Sequence, residues 1–429
     1  MTIDVNAAAG ALRAFADRHP LPTAQTQRMF RDLLPDALER AVTLLPDGTC
    51  FVATGDLPAM WLRDATFQVL PYVYLADEIP ALAELARRVL RRELRFVRLD
   101  PYANAFNETP SGAHWSDDET DVEVNPQVWE RKFEIDTLCA PLLLALRLID
   151  RTGDTSILDD EFWATFDVIL STFETEQRHD SSPYFFRRAG CAENDTLPCD
   201  GRGTPVERTG MIWNGFRPSD NRCELGYHVP ANMFASSVLG ALLPLIGESN
   251  HELARRASTM IAEIEHGIEA HAVLSLPNGR IGFAYEVDGL GGARFMDDAN
   301  TPSLLSLPYL GAIDAESSLW QATKSFVLSA ENPYFYRGRA LSGIGSEHTP
   351  KRYVWPIALA MEGLVSRDPS VKADRLERIC ATSAQTGQCH EGVHADDPTR
   401  FTRTWFSWAN MTYCQLALDY LDYGKRGRI

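Results

Sequence analysis

Apolar positions recur at helical spacing along most of this chain of 429 residues. A period of about 3.6 residues is typical of amphipathic helices, in which one face packs on a core and the other meets solvent. The Ala-rich opening, residues 1–20, also reads as helical. The pattern predicts helices at 24–44, 58–76, 80–99, 134–151, 159–178, 227–246, 250–270, 301–312, 316–329, 353–366, 371–385 and 404–424.

The predicted helices differ in how much of their surface is apolar. Segments 134–151 and 353–366 are apolar on nearly all sides, as inner helices would be, whereas 80–99 carries charges on one face. About six such pairs indicate an all-α fold, an (α/α)6 barrel in which six helical hairpins form a toroid with long functional loops at one end. A helical solenoid fits the helix count nearly as well, but the sequence has no fixed-period repeat.

Long polar segments separate the predicted helices. They are rich in Trp, Tyr, Asp, Glu, Asn and Arg, and connections of such length are usually functional. Within one of them, residues 271–287 favour a β-hairpin that turns at Asn278-Gly279. No change in composition marks a boundary, so we expect one catalytic domain over 1–429 with its core at about 25–424. The polar segments are 100–133, 179–226, 271–300, 330–352 and 386–403.

Charge and cysteine content narrow the function classes. Acidic residues outnumber basic ones 59 to 41, which gives a formal net charge of -18. Such a surface disfavours nucleic acid and anionic membranes as partners. With no signal-like start, no stretch of 18 apolar residues and no Cys-x-x-Cys, we expect a cytoplasmic protein. Pairing of Cys191 with Cys199 stays open, and the sequence indicates no oligomeric state.

The stretch from Gly55 to Tyr72 carries the first cluster of candidate binding residues. Pro58 suits the first turn of a helix, which would place an indole, a guanidinium and a carboxylate near the positive end of the helix dipole behind a carboxylate cap. Such side chains could bind a polyhydroxylated ligand, although an ordinary helix start with a surface ion pair explains the stretch as well. The four candidates are Asp56, Trp61, Arg63 and Asp64.

Two further loops carry isolated acids. The turn 217–221, Arg-Pro-Ser-Asp-Asn, places Asp220 at its tip, either as a functional acid or as an Asx-turn or N-cap residue. Within 129–136, Glu130 and Glu134 lie one helical turn apart, either as a functional cluster or as acids that the dipole favours at a solvated helix N-terminus. The acidic run 117–121 lacks the spacing of an EF-hand, and we interpret it as a solvated rim.

Residues 390–394 match the H-E-x-x-H pattern of zinc peptidases. In those enzymes two histidines one helical turn apart bind zinc, and the glutamate activates water. Here Gly392 lies inside the motif and Ala-Asp-Asp-Pro follows, which disfavours the required helix. Glu391 is therefore of interest mainly as a loop carboxylate, with His390 and His394 as ligands only in the peptidase alternative.

Six stretches in this order resemble glycoside hydrolase family 125, whose members are metal-independent exo-α-1,6-mannosidases. The resemblance runs from about residue 25 to residue 420. It implies an (α/α)6 barrel, hydrolysis with inversion at the anomeric carbon, and no cofactor. The stretches are TGDLPAMWLRDATFQVLPY, WERKFEIDTLC, GFRPSDN…YHVPANMF, MDDANTPSLLSLPYLG, ENPYFYRGRALSGIGSEHTP and HEGVHADDPTRFTRTWFSWAN.

The resemblance also implies roles for individual residues. Asp220 would be the general acid and Glu391 the general base, with the two carboxyls typically about 6.5–9.5 Å apart to admit water. Asp220 would need a raised pKa, which Arg217 would oppose unless it is engaged elsewhere. The implied substrate-binding residues are Asp56, Trp61, Arg63, Asp64, Glu130, Arg131, Arg217, His348 and Arg403.

The leading hypothesis is thus an exo-acting α-1,6-mannosidase that trims terminal mannose from manno-oligosaccharides or N-glycan fragments. A sugar epimerase on the same toroid is the first alternative, with His348, His390 and His394 as its candidate histidines. A zinc peptidase and a glycan-binding protein without catalysis are the others.

Overall fold

The computed structural model describes residues 3–424, and most of its regular structure is α-helix. The predicted all-α class is confirmed. The α-helices span Val5–Arg18, Ala24–Leu33, Asp36–Arg40, Leu62–Tyr74, Pro80–Leu99, Ile135–Thr152, Asp160–Glu176, Pro198–Gly201, Val229–Leu242, His251–His271, Ser318–Val327, Pro356–Leu364, Pro369–Ala381 and Ser407–Tyr420. Short 3-10 helices occur at Thr155–Ile157, His179–Ser181, Glu193–Asp195, Leu243–Leu245 and Glu248–Asn250.

The strands are two or three residues long and pair antiparallel in the loops between helices. Glu286–Val287 pairs on one side with Tyr227–His228 and on the other with Ala293–Arg294. Met60–Trp61 is a further short strand. The remaining pairs are Val42–Leu44 with Cys50–Val52, Ala105–Phe106 with Val128–Glu130, Asp118–Thr120 with Phe186–Arg188, Val273–Ser275 with Ile281–Phe283, Phe335–Arg337 with Ser342–Ile344, and Tyr353–Val354 with Val393–His394.

The predicted hairpin within 271–287 is confirmed. Ile281 lies opposite Ser275, and the turn between the strands contains Gly279 at a φ of +78°. Glycine adopts this left-handed conformation without the steric penalty of a Cβ atom.

Three predicted helices begin later than the pattern suggested because a short strand precedes each of them. The helices start at Leu62, Val229 and Pro356 rather than at 58, 227 and 353. A two-residue strand lies directly before Leu62 and before Val229. The strand before Pro356 is separated from the helix by one residue, Trp355. Pro58 therefore lies outside the helix, and the predicted cap role of Asp56 is wrong, because Trp61 occupies the N-cap position.

The helix predicted at 301–312 is wrong, since the segment forms a series of turns. Side chains occupy the backbone donors that a helix would use. The hydroxyls of Ser303 and Ser306 each accept from the other residue's backbone N–H, and the Asp297 carboxylate accepts from the N–H groups of Leu304 and Leu305. Such local bonds compete with helix formation.

The segment predicted as one helix at 24–44 is divided. Helix Ala24–Leu33 ends before Pro35, which has no N–H to donate, and a second helix spans Asp36–Arg40. Val42–Leu44 then forms a strand. Periodicity alone cannot show such a break, because both short helices keep the same apolar spacing.

Within the described residues the chain forms two compact units. The terminal unit comprises the residues up to Glu93, Leu143–Ile157 and the chain from Tyr334 on; the central unit comprises Leu94–Leu142 and Leu158–Pro333. One domain over 1–429 stays a prediction, and residues 1–2 and 425–429 of that range lie outside the described residues.

Each unit has its own helical core. In the terminal unit, helix Leu62–Tyr74 is buried along its whole length and packs on Ser407–Tyr420, where Phe67 stacks on Trp408 at 5.7 Å. In the central unit, Val229–Leu242 packs on His251–His271. Among helices of residues 3–424, none is both long and apolar enough for a membrane span.

Candidate active site

Asp220 lies at the tip of a tight turn in the central unit. Its backbone N–H donates to the carbonyl of Arg217 at 2.9 Å, and the Arg217 N–H donates to the carbonyl of Asn221 at 2.7 Å. The φ of Asp220 is +64°, a conformation that few residues other than glycine adopt. Its side chain is half-buried. Asp220 does not cap a helix, since the next long helix starts at Val229.

Neighbouring side chains hold this turn in place. Lys132 Nζ donates to the backbone carbonyl of Asp220 at 2.9 Å. The Ser219 hydroxyl donates to Asp298 Oδ2 at 3.0 Å, and both of these residues are buried. Unfavourable backbone conformations persist only where the surroundings determine them, and they concentrate at functional sites.

Arg217 belongs to the framework of the same turn. Its Nε donates to Glu286 Oε1 at 2.5 Å, and both side chains are fully buried. Burial alone would lower the pKa of Arg217, but the charge of Glu286 raises it well above its usual value, so the guanidinium stays protonated. Arg217 is therefore engaged by Glu286, as the proposed acid role of Asp220 requires. Its role in substrate binding stays a prediction.

Asn104 connects Asp220 to two further acids. Its Nδ2 lies 3.3 Å from Asp220 Oδ1, 3.0 Å from Glu130 Oε2 and 3.4 Å from Glu134 Oε1. Glu130, Glu134 and Asn104 are buried. The structure thus brings the predicted residues Glu130 and Asp220 to one amide group. Asn104 itself was missed, since a single Asn in a long polar segment carries no pattern.

Lys132 supplies a positive charge beside these acids. Its Nζ lies 2.5 Å from Asp195 and 3.6 Å from Glu130. Burial would lower the pKa of Lys132, but the negative charges of Glu130 and Asp195 beside it raise the pKa above its usual value. Lys132 is therefore a cation at neutral pH.

Arg188 is a second cation in this cluster. It donates to both oxygens of Asp118 at 2.7 and 2.8 Å, to Glu130 at 2.7 Å and to Asp195 at 2.9 Å. The run 117–121 is thus not simply a solvated rim, because Asp118 and Asp121 are largely buried and paired. Arg188 has no sequence signal, since its partner Asp118 lies 70 positions away.

Arg131 is directed at other acids. It lies 2.7 Å from Asp100 and 2.5 Å from Asp121, with its guanidinium 5.2 Å from the ring centre of Tyr102. These contacts anchor the long loop that precedes strand Val128–Glu130. Substrate binding by Arg131 stays a prediction.

In the terminal unit, Glu391 lies on a loop rather than a helix. Its N–H donates to the carbonyl of Thr402 at 3.3 Å, and the Thr402 N–H donates to the carbonyl of Gly392 at 2.9 Å. Glu391 is 7% exposed. This two-stranded arrangement holds the carboxylate at a fixed place while leaving part of it accessible.

The histidines around Glu391 do not form a helical zinc motif. His390 has a φ of +65°, and His394 lies in the strand Val393–His394, so the two are not one helical turn apart. The His390 ring bonds the Thr386 hydroxyl at 3.0 Å and the Arg403 carbonyl at 2.9 Å. Burial lowers its pKa, which keeps the ring neutral. His348, the third candidate of the epimerase hypothesis, is exposed.

Arg403 connects Glu391 to Asp56. Its Nη1 lies 4.0 Å from Glu391 Oε1, and its Nε donates to Asp56 Oδ1 at 2.7 Å. Gly55 lets this segment approach closely, because a Cβ atom there would lie 2.6 Å from the carbonyl oxygen of Trp405. Its φ of +118° also requires glycine.

Thr54 links this group to Asp64. Its carbonyl accepts from Arg403 Nη2 at 3.4 Å, and its hydroxyl donates to Asp64. Arg63 Nη2 lies 3.2 Å from Asp64 Oδ2, and both side chains are buried, so they are not the surface pair of the simpler interpretation. Trp61 is 6% exposed, and its indole Nε1 has no acceptor among the described residues.

His348 lies at the edge of this group. It packs edge-on against Trp355 at 6.3 Å, and Trp355 contacts Phe406 at 6.2 Å. The Arg403 guanidinium covers the same Phe406 ring at 4.5 Å. The terminal unit therefore gathers six predicted residues with Glu391, and the central unit gathers Glu130 with Asp220.

Comparison with known proteins decides the family. Residues 23–418 match the family model of the metal-independent α-mannosidases, GH125. The chain belongs to this family. It is 34% identical over 422 residues to the meiotically up-regulated gene 157 protein of Schizosaccharomyces pombe, covering 92% of this chain and 82% of that protein.

Solved structures agree with the family match. A Streptococcus pneumoniae metal-independent α-mannosidase, in a non-productive complex with α-1,6-mannobiose, is 42% identical with a TM-score of 0.90 and 97% coverage of both chains. This likeness confirms the predicted (α/α)6 fold class. A GH78 rhamnosidase of Bacillus sp. GL1 shares the fold alone, at 14% identity and a TM-score of 0.52 over 93% of this chain and 35% of that one.

The family match confirms the enzyme class. This member of GH125 is a glycoside hydrolase, an α-mannosidase of a metal-independent family. The epimerase and zinc-peptidase alternatives are thereby set aside.

Proposed function

We propose that this enzyme is an exo-acting α-1,6-mannosidase that removes non-reducing terminal mannose from manno-oligosaccharides or N-glycan fragments. The similar Streptococcus pneumoniae mannosidase binds α-1,6-mannobiose, which supports the linkage. A neutral oligosaccharide also suits a chain with a formal net charge of -18, since it meets no long-range repulsion.

The fixed acid at the tip of the 217–221 turn carries the mechanistic proposal. Asp220 is the general acid: it gives its proton to the glycosidic oxygen as the bond from that oxygen to the anomeric carbon breaks. Glu391 is the general base: it takes a proton from water, whose oxygen attacks the anomeric carbon from the opposite face. The released mannose has inverted configuration, and proton exchange with solvent restores both carboxyls.

The remaining predicted residues are proposed to bind the terminal mannose. Ionised carboxylates accept hydrogen bonds from sugar hydroxyls, and guanidinium groups donate them. The buried indole N–H of Trp61 suits a sugar hydroxyl as its acceptor, because an unpaired buried donor is unfavourable. The proposed set is Asp56, Trp61, Arg63, Asp64, Glu130, Arg131, Arg217, His348 and Arg403.

Proton NMR of the enzyme with α-1,6-mannobiose tests the proposal. We expect β-mannose to appear first, at a rate that EDTA does not change. Asp220→Asn and Glu391→Gln should each lower kcat by about 10²- to 10⁴-fold. Asp397→Asn changes a half-buried loop acid whose carboxylate accepts from the Thr399 N–H; this variant is the control and should leave kcat unchanged. Full activity in both catalytic variants, or α-mannose as the first product, would contradict the mechanism.

We also propose that the enzyme works in the cytoplasm. All eight cysteines are unpaired, six of them are buried, and free thiols are typical of reducing compartments. Alkylation of intact cells followed by mass spectrometry should find every cysteine as a thiol. A Cys191–Cys199 disulfide in those cells would contradict this placement.

A further inference from the structure

We infer that Asn104 is a positioning residue for Asp220, and that it determines which oxygen of the Asp220 carboxyl carries the acid proton. The inference rests on the proposed role of Asp220 as general acid. It concerns one buried amide in the central unit, next to strand Ala105–Phe106.

The orientation of the Asn104 side chain is set by its neighbours. Its Oδ1 accepts a hydrogen bond from the backbone N–H of Lys132 at 3.2 Å. The backbone N–H of Asn104 donates to the carbonyl of Glu130, also at 3.2 Å. An N–H can only donate, so the amide oxygen must face Lys132. The NH2 group must then face the carboxylates, where Nδ2 lies 3.3 Å from Asp220 Oδ1.

This orientation distinguishes the two oxygens of Asp220. The Asn104 amide donates to Oδ1, and the carbonyl oxygen of a neutral carboxylic acid accepts hydrogen bonds better than its hydroxyl oxygen, so the amide favours the proton on Oδ2. During catalysis that proton moves from Oδ2 to the glycosidic oxygen, which also receives the electron pair of the breaking bond. Asp220 is left as a carboxylate that Asn104 still stabilises, because hydrogen bonds to the charged form favour it.

The other acids near Asn104 have additional partners. Glu130 is bound by Arg188 at 2.7 Å, and Glu134 accepts from the Thr137 hydroxyl at 3.1 Å. These contacts remain in place for Glu130 and Glu134 when the amide is removed. A misplacement of about 1 Å in a reacting group can cost about 100-fold in rate.

Substrates with different leaving groups test the inference. α-1,6-Mannobiose needs a proton on its leaving oxygen, whereas α-mannosyl fluoride and 2,4-dinitrophenyl α-mannoside release anions that need none. In Asn104→Ala and Asn104→Ser we expect kcat/KM on mannobiose to fall between about 10- and 100-fold. Activity on the activated mannosides should stay within about threefold. The ratio of the two does not depend on the fraction of enzyme that is folded.

Asn107 provides the matched control. It is also buried, and its Nδ2 donates to the carbonyls of Ala113 and Pro126, at 2.7 and 3.1 Å. Asn107→Ala should change kcat/KM by the same factor on both kinds of substrate. Equal losses on both substrates in the Asn104 variants would overturn the inference.

Asp220→Asn separates this inference from the proposed function. Suppose that Asp220→Asn keeps its kcat/KM on the activated mannosides, while the Asn104 variants lose kcat/KM equally on both kinds of substrate. Then only the role of Asn104 is wrong. If it shows no preference between leaving groups, the acid role of Asp220 is wrong, and the inference fails with it.

Discussion

Arg217 and Glu286 form an ion pair from which water is excluded. Both side chains are fully buried, with 2.5 Å between nitrogen and oxygen. Removal of one partner leaves a charge buried without compensation, which typically costs about 3–5 kcal/mol of folding free energy. We therefore expect Arg217→Met to lower the free energy of unfolding by about that much, measured by urea denaturation. An unchanged stability with a raised KM would instead indicate that Arg217 acts mainly on the substrate.

Two variants control this prediction. Arg217→Met/Glu286→Met removes both charges and should recover much of the lost stability. Arg255→Met breaks the exposed pair with Glu252, at 2.6 Å, and should have no measurable effect, because solvent screens such pairs.

At this scale the sequence could predict acids in loops but not their partners. Asp220 and Glu391 lie in turns whose residues form recognisable motifs. Arg188 and Asn104 lie in no recognisable motif. Their roles depend on contacts with residues far along the chain: Asp118 is 70 positions from Arg188, and Asp220 is 116 positions from Asn104. Long-range pairing leaves no periodic trace in one sequence.

At the scale of single elements, two glycines should respond to alanine in opposite ways. An added Cβ meets nothing within 4 Å at Gly279 or at Gly240. Gly279 has a φ of +78° in its hairpin turn, so Gly279→Ala should destabilise by about 1 kcal/mol. Gly240 lies in helix Val229–Leu242, so Gly240→Ala should stabilise by about 0.5–1 kcal/mol. Chemical denaturation measures both, and the same sign for the two would contradict the argument.

Helix prediction succeeded where packing and local chemistry agree. Pro80–Leu99 matches its predicted bounds because one charged face and one apolar face persist over its whole length. It failed at 301–312, where serine hydroxyls and the Asp297 carboxylate take the backbone donors. Periodicity shows the spacing of apolar residues, but it does not show which group accepts the hydrogen bond of each backbone N–H.

At the scale of the whole molecule, the two proposed catalytic acids belong to different compact units. Asp220 lies in the central unit and Glu391 in the terminal unit. The sequence could not show this division, because two of the four crossings between the units lie within helices Pro80–Leu99 and Ile135–Thr152, and the other two, after Ile157 and after Pro333, lie in loops without a change in composition. The order of the motifs identified the family without any knowledge of these units.

The net charge leads to a last prediction at this scale. With a formal charge of -18, the molecule repels anions over distances that salt controls, and the Debye length falls from about 30 Å at 0.01 M to about 3 Å at 1 M. A neutral mannobiose gains or loses nothing from this field, so its kcat/KM should change by less than about twofold over that range. The same disaccharide carrying a phosphate should be a poorer substrate whose kcat/KM rises with salt. If kcat/KM for the neutral sugar instead falls tenfold, salt acts on the charged groups of the site, such as Arg403 with Asp56, rather than on the field of the whole protein.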